Sequence, residues 1–233
     1  MLVYVVANQI GYAVVLILAA GDRGGYSAYA AAFMLFQLPH AIFAVSIFTA
    51  LLPGMAARWS AGDGDGFRRL LERGLRTTAA IVLPASLGYV VLARPIVRLL
   101  LEHGVTGADS GDLVARVLVA FSIGLVPFSA FQLLLRAFYA VQDTRTPALV
   151  NIAALVVNVV ANLVLYFGFG LGVAGLALGH ATSYVFASIA VFVLLQRRVG
   201  SLRAGELASS VGRSAIGAVA TAVSLYYYLG IVR

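Results

Sequence analysis

The sequence predicts an all-α, polytopic membrane protein, a helical bundle of about seven transmembrane helices. Hydrophobic residues fill 62% of the 233 positions, well above the roughly 45–50% found in soluble domains, and the mean hydropathy is +0.98. Apolar runs close to the roughly 20 residues that cross a bilayer recur along the whole chain. There is no cysteine, which argues against a disulfide framework or a thiolate metal site.

The apolar runs give the order of the spans. The gaps between them are too short to hold a second soluble domain. The second run is longer than one span and contains Pro39 and Pro53, which predicts a kinked or tilted helix there. The seven candidate spans are Leu2–Ala20, Ala30–Met55, Thr77–Ala93, Val117–Ala140, Pro147–Phe169, Leu171–Leu195 and Ser214–Val232.

The basic residues, all of them arginine, predict the orientation of these spans. Eleven of the sixteen arginines lie in the second, fourth and sixth gaps, and the positive-inside rule makes that side cytoplasmic. The net charge of +7 therefore fits a membrane protein, and no nucleic-acid partner is expected. The first span then begins on the cytoplasmic side with no charge before it. This start, together with the odd number of spans, indicates that upstream sequence is missing.

Two charged stretches predict short helices at the membrane surface. Phe67–Arg76 places Phe67, Leu71 and other apolar residues on one face and four arginines on the other, which is typical of an interfacial amphipathic helix drawn to anionic headgroups. Pro95–His103 suits a short helix on the outer surface, with an Arg98–Glu102 pair four residues apart.

The sequence contains no grouping that indicates an enzyme. Gly170, Gly172 and Gly175 spell G-x-G-x-x-G, but the stretch lies inside an apolar membrane run, so it does not indicate a nucleotide site. Gly175 and Gly179 instead predict a close helix–helix contact. The three histidines, His40, His103 and His180, fall in different segments without a paired carboxylate. We therefore expect no catalytic residues, metal site or cofactor.

Polar residues within the spans are the best candidates for a functional site, because they are costly in a bilayer and usually face a bundle interior or a cavity. Asn151, Asn158 and Asn162 lie within roughly 20° of one line on a helix. This stripe fits interhelical hydrogen bonds, a cavity wall or a cation site. Arg136 shares a face with Gln132, although it can also snorkel to the cytoplasmic surface. The candidates for a substrate cavity are Asn8, Gln9, Gln37, His40, Gln132, Arg136, Asn151, Asn158 and Asn162.

The stretch RAFYAVQDTRTP, residues 136–147, predicts a short cytoplasmic hinge between two spans. Asp143 and Thr144 can bond the exposed backbone of the turn. Thr146 suits the N-cap of the next helix and Pro147 its first position. Arg145 agrees with the charge rule. The predicted hinge residues are Asp143, Thr144, Arg145, Thr146 and Pro147.

Two of these stretches resemble the MurJ/MviN lipid II flippases. RAFYAVQDTRTP followed by NIAALVVNVVANLVL is similar to that family's R-x-F-Y-[AS]-x-[QR]-D-T-x-T-P and the span after it. FQLPHAIFAVSIFTALLPGMAARWSAGD, residues 36–63, resembles a second family segment. The resemblance covers essentially the whole chain. It implies one lobe of a two-lobed transporter of the multidrug and oligosaccharidyl-lipid exporter superfamily. Residues 1–195 would be the six spans of the C-terminal lobe, and residues 196–233 would be a cytoplasmic loop plus one additional helix.

The resemblance also implies a function in the bacterial cytoplasmic membrane, namely translocation of the undecaprenyl-linked peptidoglycan precursor by alternating access, driven by ions or membrane potential. Membrane lipids and cell-wall synthesis or division proteins are the further partners it implies. Phe33 and Met34 stand where better-known members carry an Asp-Arg pair. Asn162 stands where some relatives have a carboxylate of an ion site. Another lipid-linked oligosaccharide or drug exporter, and a non-transporting scaffold for cell-wall enzymes, remain as alternatives; a membrane-bound transferase is a more distant one.

Overall fold

The computed structural model describes residues 2–102 and 108–232, apart from the side chains of residues 2–8, 10, 108 and 232. All regular elements in this part of the chain are helical. Short π-helical segments at His40–Ala44 and Val164–Gly168 follow α2 and α7. The α-helices are α1 (Leu2–Ala20), α2 (Gly25–Pro39), α3 (Val45–Ser60), α4 (Gly64–Leu101), α5 (Ala108–Ile123), α6 (Leu125–Ala140), α7 (Arg145–Leu163), α8 (Gly172–Val199) and α9 (Ala204–Val232).

The all-α membrane architecture is confirmed, whereas the count of seven spans is approximate. Within the described residues, five helical stretches are long and apolar enough to cross a bilayer, and the α5–α6 pair makes a sixth if it counts as one span. The first predicted run corresponds to α1, of which Gly11–Ala20 qualifies as a shorter apolar helix. The second run forms a single stretch, Gly25–Ser60. It passes into the π-helical segment directly after Pro39 and continues as α-helix through Pro53.

The fourth predicted span is broken rather than continuous. α5 and α6 meet at Gly124 with a bend of 48°. A Cβ atom on Gly124 would lie 2.8 Å from the Cα atom of Ala181 in α8. The glycine thus permits the backbones to approach closely at the bend, an effect of tertiary packing that hydropathy does not reveal.

The two predicted surface helices are both wrong as separate elements, because each belongs to the 38-residue helix α4. Phe67 and Leu71 are fully buried in a core shared with α3 and α6, so this apolar face packs on protein rather than on headgroups. The predicted Arg98–Glu102 pair is replaced by an ion pair between Arg94 and Glu102. His103 lies outside the described residues.

The core is organised around α8, which packs against α5, α6 and α7. Its contact with α7 depends on the two glycines that the sequence singled out. A Cβ atom on Gly175 would lie 3.0 Å from the carbonyl group of Leu165, and one on Gly179 would lie 2.1 Å from Asn162 Oδ1. The close helix–helix contact predicted from Gly175 and Gly179 is therefore present.

The predicted cytoplasmic loop before the last span is mostly helical. α8 extends to Val199 and α9 begins at Ala204, so the connection is only residues 200–203. α9 packs along α4. At their shared end, the buried Glu72 Oε1 accepts a hydrogen bond from the Arg203 backbone N–H at 2.9 Å, and Arg76 donates to Glu206 Oε2 at 2.9 Å. These two contacts attach the polar first turn of α9 to α4.

Candidate substrate cavity

Part of the predicted asparagine stripe lines a cavity of 270 Å³ between α1, α2, α7 and α8, which we call the amide cavity. Asn151 and Asn158 contribute side-chain amides from α7. The α8 wall adds an imidazole, a hydroxyl and a phenol. The cavity is thus polar and aromatic, with no charged group in its lining, which consists of Gly11, Tyr12, Val15, Tyr29, Phe33, Asn151, Ala154, Leu155, Asn158, His180, Ser183 and Tyr184.

Asn162, the third member of the stripe, lies between the helices instead of in the cavity wall. Its side chain is fully buried. Its Nδ2 donates to Asn158 Oδ1 at 3.0 Å, and its own Oδ1, also buried, has no hydrogen-bond partner among the described residues. The bond therefore joins two residues of α7, whereas the sequence suggested bonds between helices. Asn162 fixes the orientation of Asn158, which does reach the cavity.

His180 is a cavity residue that the sequence analysis passed over. Its ring packs against Phe33, Phe36 and Phe121, with centroid separations of 5.4, 5.9 and 5.4 Å, and against Tyr184 at 4.8 Å. Its Nε2 atom is buried and has no hydrogen-bond partner within the part of the chain that the structure describes. A signal was present in the sequence, since His180, Ser183 and Tyr184 are three and four residues apart and so share a helix face.

Gln37 lines a second cavity, of 440 Å³, between α1 and α2. The two cavities have Tyr12, Tyr29 and Phe33 in common, so these rings form the partition between them. Phe33 therefore stands between the two cavities, at the position where the resemblance implies an acidic residue in other members. The neighbouring Met34 is largely exposed and also lines the second cavity.

Four of the remaining candidates, namely His40, Gln132, Arg136 and Gln9, line neither of these two cavities. His40 is buried, with Nδ1 3.0 Å from Ser129 Oγ of α6, so it bonds inside the protein. Gln132 is half-buried and Arg136 is exposed. Gln9 is exposed as well. The side chain of Asn8 lies outside the described residues.

The turn between α6 and α7, which the sequence predicts to be a hinge, is built around Asp143. Its Oδ1 accepts hydrogen bonds from the Arg145 and Thr146 backbone N–H groups at 3.1 and 3.0 Å, and its Oδ2 accepts from the Thr146 hydroxyl at 2.8 Å. Asp143 therefore caps α7, and the expectation that Thr146 is the N-cap is wrong. Helix α7 already begins at Arg145, which places Pro147 at its third residue instead of its first.

The same turn closes α6 with a left-handed residue. Gln142 has φ +59°, its N–H donates to Tyr139 O at 3.0 Å, and the Asp143 N–H donates to Phe138 O at 3.0 Å. This pattern of bonds is a Schellman motif, usually built on glycine. Gly62 and Asp63 form a matching turn between α3 and α4, in which Asp63 Oδ1 accepts from the Gly66 N–H at 2.7 Å.

Comparison with known proteins identifies the family. A family model described as lipid II flippase MurJ matches residues 1–233. The chain belongs to the MurJ lipid II flippase family. The chain is 29% identical over 209 residues to a probable lipid II flippase MurJ of Rhizobium meliloti, covering 90% of this chain and 39% of the relative. It is 32% identical over 164 residues to the lipid II flippase MurJ of Burkholderia cenocepacia, covering 70% and 31%.

The solved structures agree on the fold. A lipid II flippase MurJ in an inward closed conformation superimposes with a TM-score of 0.79 at 19% identity, over 99% of this chain and 53% of that structure. The chain thus spans about a third of the length of these curated MurJ relatives and about half of the solved MurJ chain. The family and the fold together establish a multi-pass membrane protein, as the sequence predicted, from a family of transporters.

Replacing Asn162 by alanine tests whether the stripe binds a cation. The amide cavity offers neutral groups without a carboxylate, so we expect a modest loss of thermal stability in detergent, of the same size in sodium and potassium buffers. A side-chain hydrogen bond between membrane helices is worth about 0.6 kcal/mol on average and up to about 1.7 kcal/mol, and we expect the bond within α7 from Asn162 to Asn158 to be of similar size. A melting temperature of the wild type that rises with sodium, with that rise abolished in Asn162→Ala, would instead establish an ion site.

Proposed function

We propose that this chain provides the C-terminal lobe, residues 1–195, and one additional helix, residues 196–233, of a transporter that moves lipid II across the bacterial cytoplasmic membrane. The observation that carries this proposal is the family match, which extends over all 233 residues. The relatives that it matches are named lipid II flippases.

The amide cavity supplies chemistry that suits the headgroup of such a substrate. A lipid-linked sugar-peptide presents hydroxyl and amide groups, and Asn151, Asn158 and Ser183 offer donors and acceptors for them. Tyr29 and Tyr184 add aromatic faces with polar tips. Because no charged residue lines this cavity, we assign the pyrophosphate to another part of the complete transporter.

In an alternating-access mechanism, the amide cavity would be the substrate site, and helices would move around it as rigid bodies. In many transporters, substrates bind near the bilayer midplane and rigid bundles move around them. Here the α6–α7 turn is fixed by the Asp143 cap. The break at Gly124 and the π-helical segment after Pro39 are the places where the spans already deviate from straight helices. We propose these as the points of flexure.

The proposal is tested in a bacterium depleted of its own lipid II flippase. The chain should restore growth when it forms part of a complete two-lobed flippase, and residues 1–233 alone should not. Within the complete flippase, Asn151→Leu combined with Asn158→Leu should lower the fraction of lipid II reached by an impermeant external probe. Ser224→Leu, on the exposed face of α9, is the matched control that should leave this fraction unchanged.

The outcomes separate the alternatives. Normal exposure of lipid II in the double variant would remove the amide cavity from the transport path. Full growth without measurable translocation would favour a scaffold for cell-wall enzymes. Growth supported by residues 1–233 alone would contradict the two-lobed arrangement.

A further inference from the structure

Among the described residues, two arginines at the predicted cytoplasmic end of α4 form no ion pair, in a region where most other charges are paired. Arg68 pairs with Asp65, Arg76 pairs with Glu206 and Arg203 also pairs with Glu206. Arg69 and Arg73 are exposed, and neither has an ion pair within 4 Å in the described part of the chain. Of these, Arg69 also contributes to the positive field at Asp63, a carboxylate already held by Arg58. Unbalanced positive charge thus remains at Arg69 and Arg73.

These two arginines border a cavity at the seam between α4 and α9. The cavity has a volume of 280 Å³ and is lined by Arg69, Glu72, Arg73, Arg76, Thr77, Arg203 and Glu206. Arg69 and Arg73 are four residues apart, so they project from one face of α4. The acidic groups in the lining are already engaged, since Glu72 accepts from the Arg203 N–H and Glu206 accepts from Arg76 and Arg203. An anion in this cavity would therefore meet free guanidinium donors and few free carboxylates.

The seam lies at the depth of the lipid headgroups. The apolar run of α4 begins at Thr77, so Arg73 is about 6 Å and Arg69 about 12 Å beyond its edge along the helix axis. The headgroup layer on each side of a bilayer is roughly 5–8 Å thick. Arg73 is placed within that layer, where phosphate groups are the most abundant anions, and Arg69 lies about 4–7 Å beyond it on the same face of α4.

We propose that this seam binds the phosphate of an anionic phospholipid, with Arg69 and Arg73 as its ligands. The guanidinium group matches phosphate because it can donate two parallel hydrogen bonds. A lipid bound here would rest against both α4 and α9 and would stabilise the attachment of α9 to the lobe. The proposal is independent of the substrate, since none of these residues lines the amide cavity.

The test compares two variants of equal net charge. Arg69→Gln/Arg73→Gln removes the proposed ligands, and Arg197→Gln/Arg213→Gln removes two exposed arginines from the same side of the protein. Binding of phosphatidylglycerol is measured by native mass spectrometry in neutral detergent, together with the rise in melting temperature that the lipid causes. A charge-assisted hydrogen bond contributes about tenfold or more in affinity, so we expect about a 100-fold loss in the first variant. The control should bind within about twofold of the wild type.

Two further additions distinguish an anionic phospholipid from other ligands. Phosphatidylcholine and free inorganic phosphate are added at the same concentration, and neither should reproduce the rise in melting temperature. Equal losses of phosphatidylglycerol binding in both variants would overturn the proposal, because general charge attraction would then explain it. Stabilisation by inorganic phosphate alone would show a soluble-anion site and would also overturn the assignment to lipid. The lipid-free melting temperature of each variant should match that of the wild type, which excludes misfolding as the cause.

Discussion

Replacing Gly179 with alanine is expected to lower the free energy of unfolding by about 2–3 kcal/mol, in the range of overpacked cores. The new Cβ atom would lie 2.1 Å from Asn162 Oδ1 and 3.0 Å from the Asn162 backbone nitrogen. The amide could swing away only by breaking its 3.0 Å bond to Asn158, and the backbone contact would persist. Since packing is a principal source of helix association in membranes, this strain acts directly on the α7–α8 contact. Thermal unfolding in detergent measures the effect.

Gly217→Ala is the matched control for this substitution. Gly217 lies within α9 and a Cβ atom there would meet nothing within 4 Å. Alanine is favoured over glycine inside a helix by about 1 kcal/mol, so this variant should be as stable as the wild type or slightly more stable. Equal melting temperatures of the two variants would show that the close approach at Gly179 does not constrain the fold.

A double variant identifies the atoms responsible. Asn162→Ala removes the side chain that the new methyl group would strike. The destabilisation caused by Gly179→Ala should therefore be clearly smaller in an Asn162→Ala background than in the wild type. Such non-additivity is expected for residues in contact. Strictly additive effects would place the strain elsewhere.

Asp143→Ala is expected to cost about 1–2 kcal/mol of stability, because the side chain is the helix cap of α7. Three hydrogen bonds end on its carboxylate, two from backbone N–H groups and one from the Thr146 hydroxyl. Thr144→Ala is the control, because the Thr144 side chain makes no capping bond and its loss should change little. A comparable loss in both variants would show that the turn tolerates the absence of the carboxylate.

The pH dependence of stability should report the same cap. Partial burial opposes ionisation of Asp143, but hydrogen bonds from Thr146 and Arg145 and the nearby charge of Arg198 hold its pKa below the ordinary value. A depressed pKa contributes stability above the pKa of the unfolded state, about 3.9, and this contribution is lost as the pH falls through the folded-state pKa. Between pH 5 and 3, the wild type should therefore lose more stability than Asp143→Asn. Parallel pH profiles would contradict the capping role.

The class of the protein and most of its helices can be predicted from the amino-acid sequence alone. Bilayer thickness and the rise per residue of a helix set the length of an apolar span, so candidate spans can be found as apolar runs of that length. The number of spans obtained in this way is approximate. Local chemistry predicted the turn at Asp143 because a carboxylate two or three residues before a free N–H can bond it without help from the rest of the fold. Even there the assignment to Thr146 was wrong, since several short polar side chains in one turn compete for the same donors.

Which polar groups contact one another depends on the packing of the helices and could not be predicted from the sequence. Periodicity placed Asn151, Asn158 and Asn162 on one face of α7, but the approach of Gly179 buries Asn162 and leaves the other two facing the cavity. His180 lines the same cavity because α8 packs against α7. This packing cannot be predicted from the sequence of either helix taken alone. The arginine-rich segment at the start of α4 predicts a helix on the membrane surface, whereas in the structure α3 and α6 cover the apolar face of this segment. Hydropathy indicates that a side chain is kept away from water. Whether that side chain contacts lipid or protein depends on the position of the neighbouring helices.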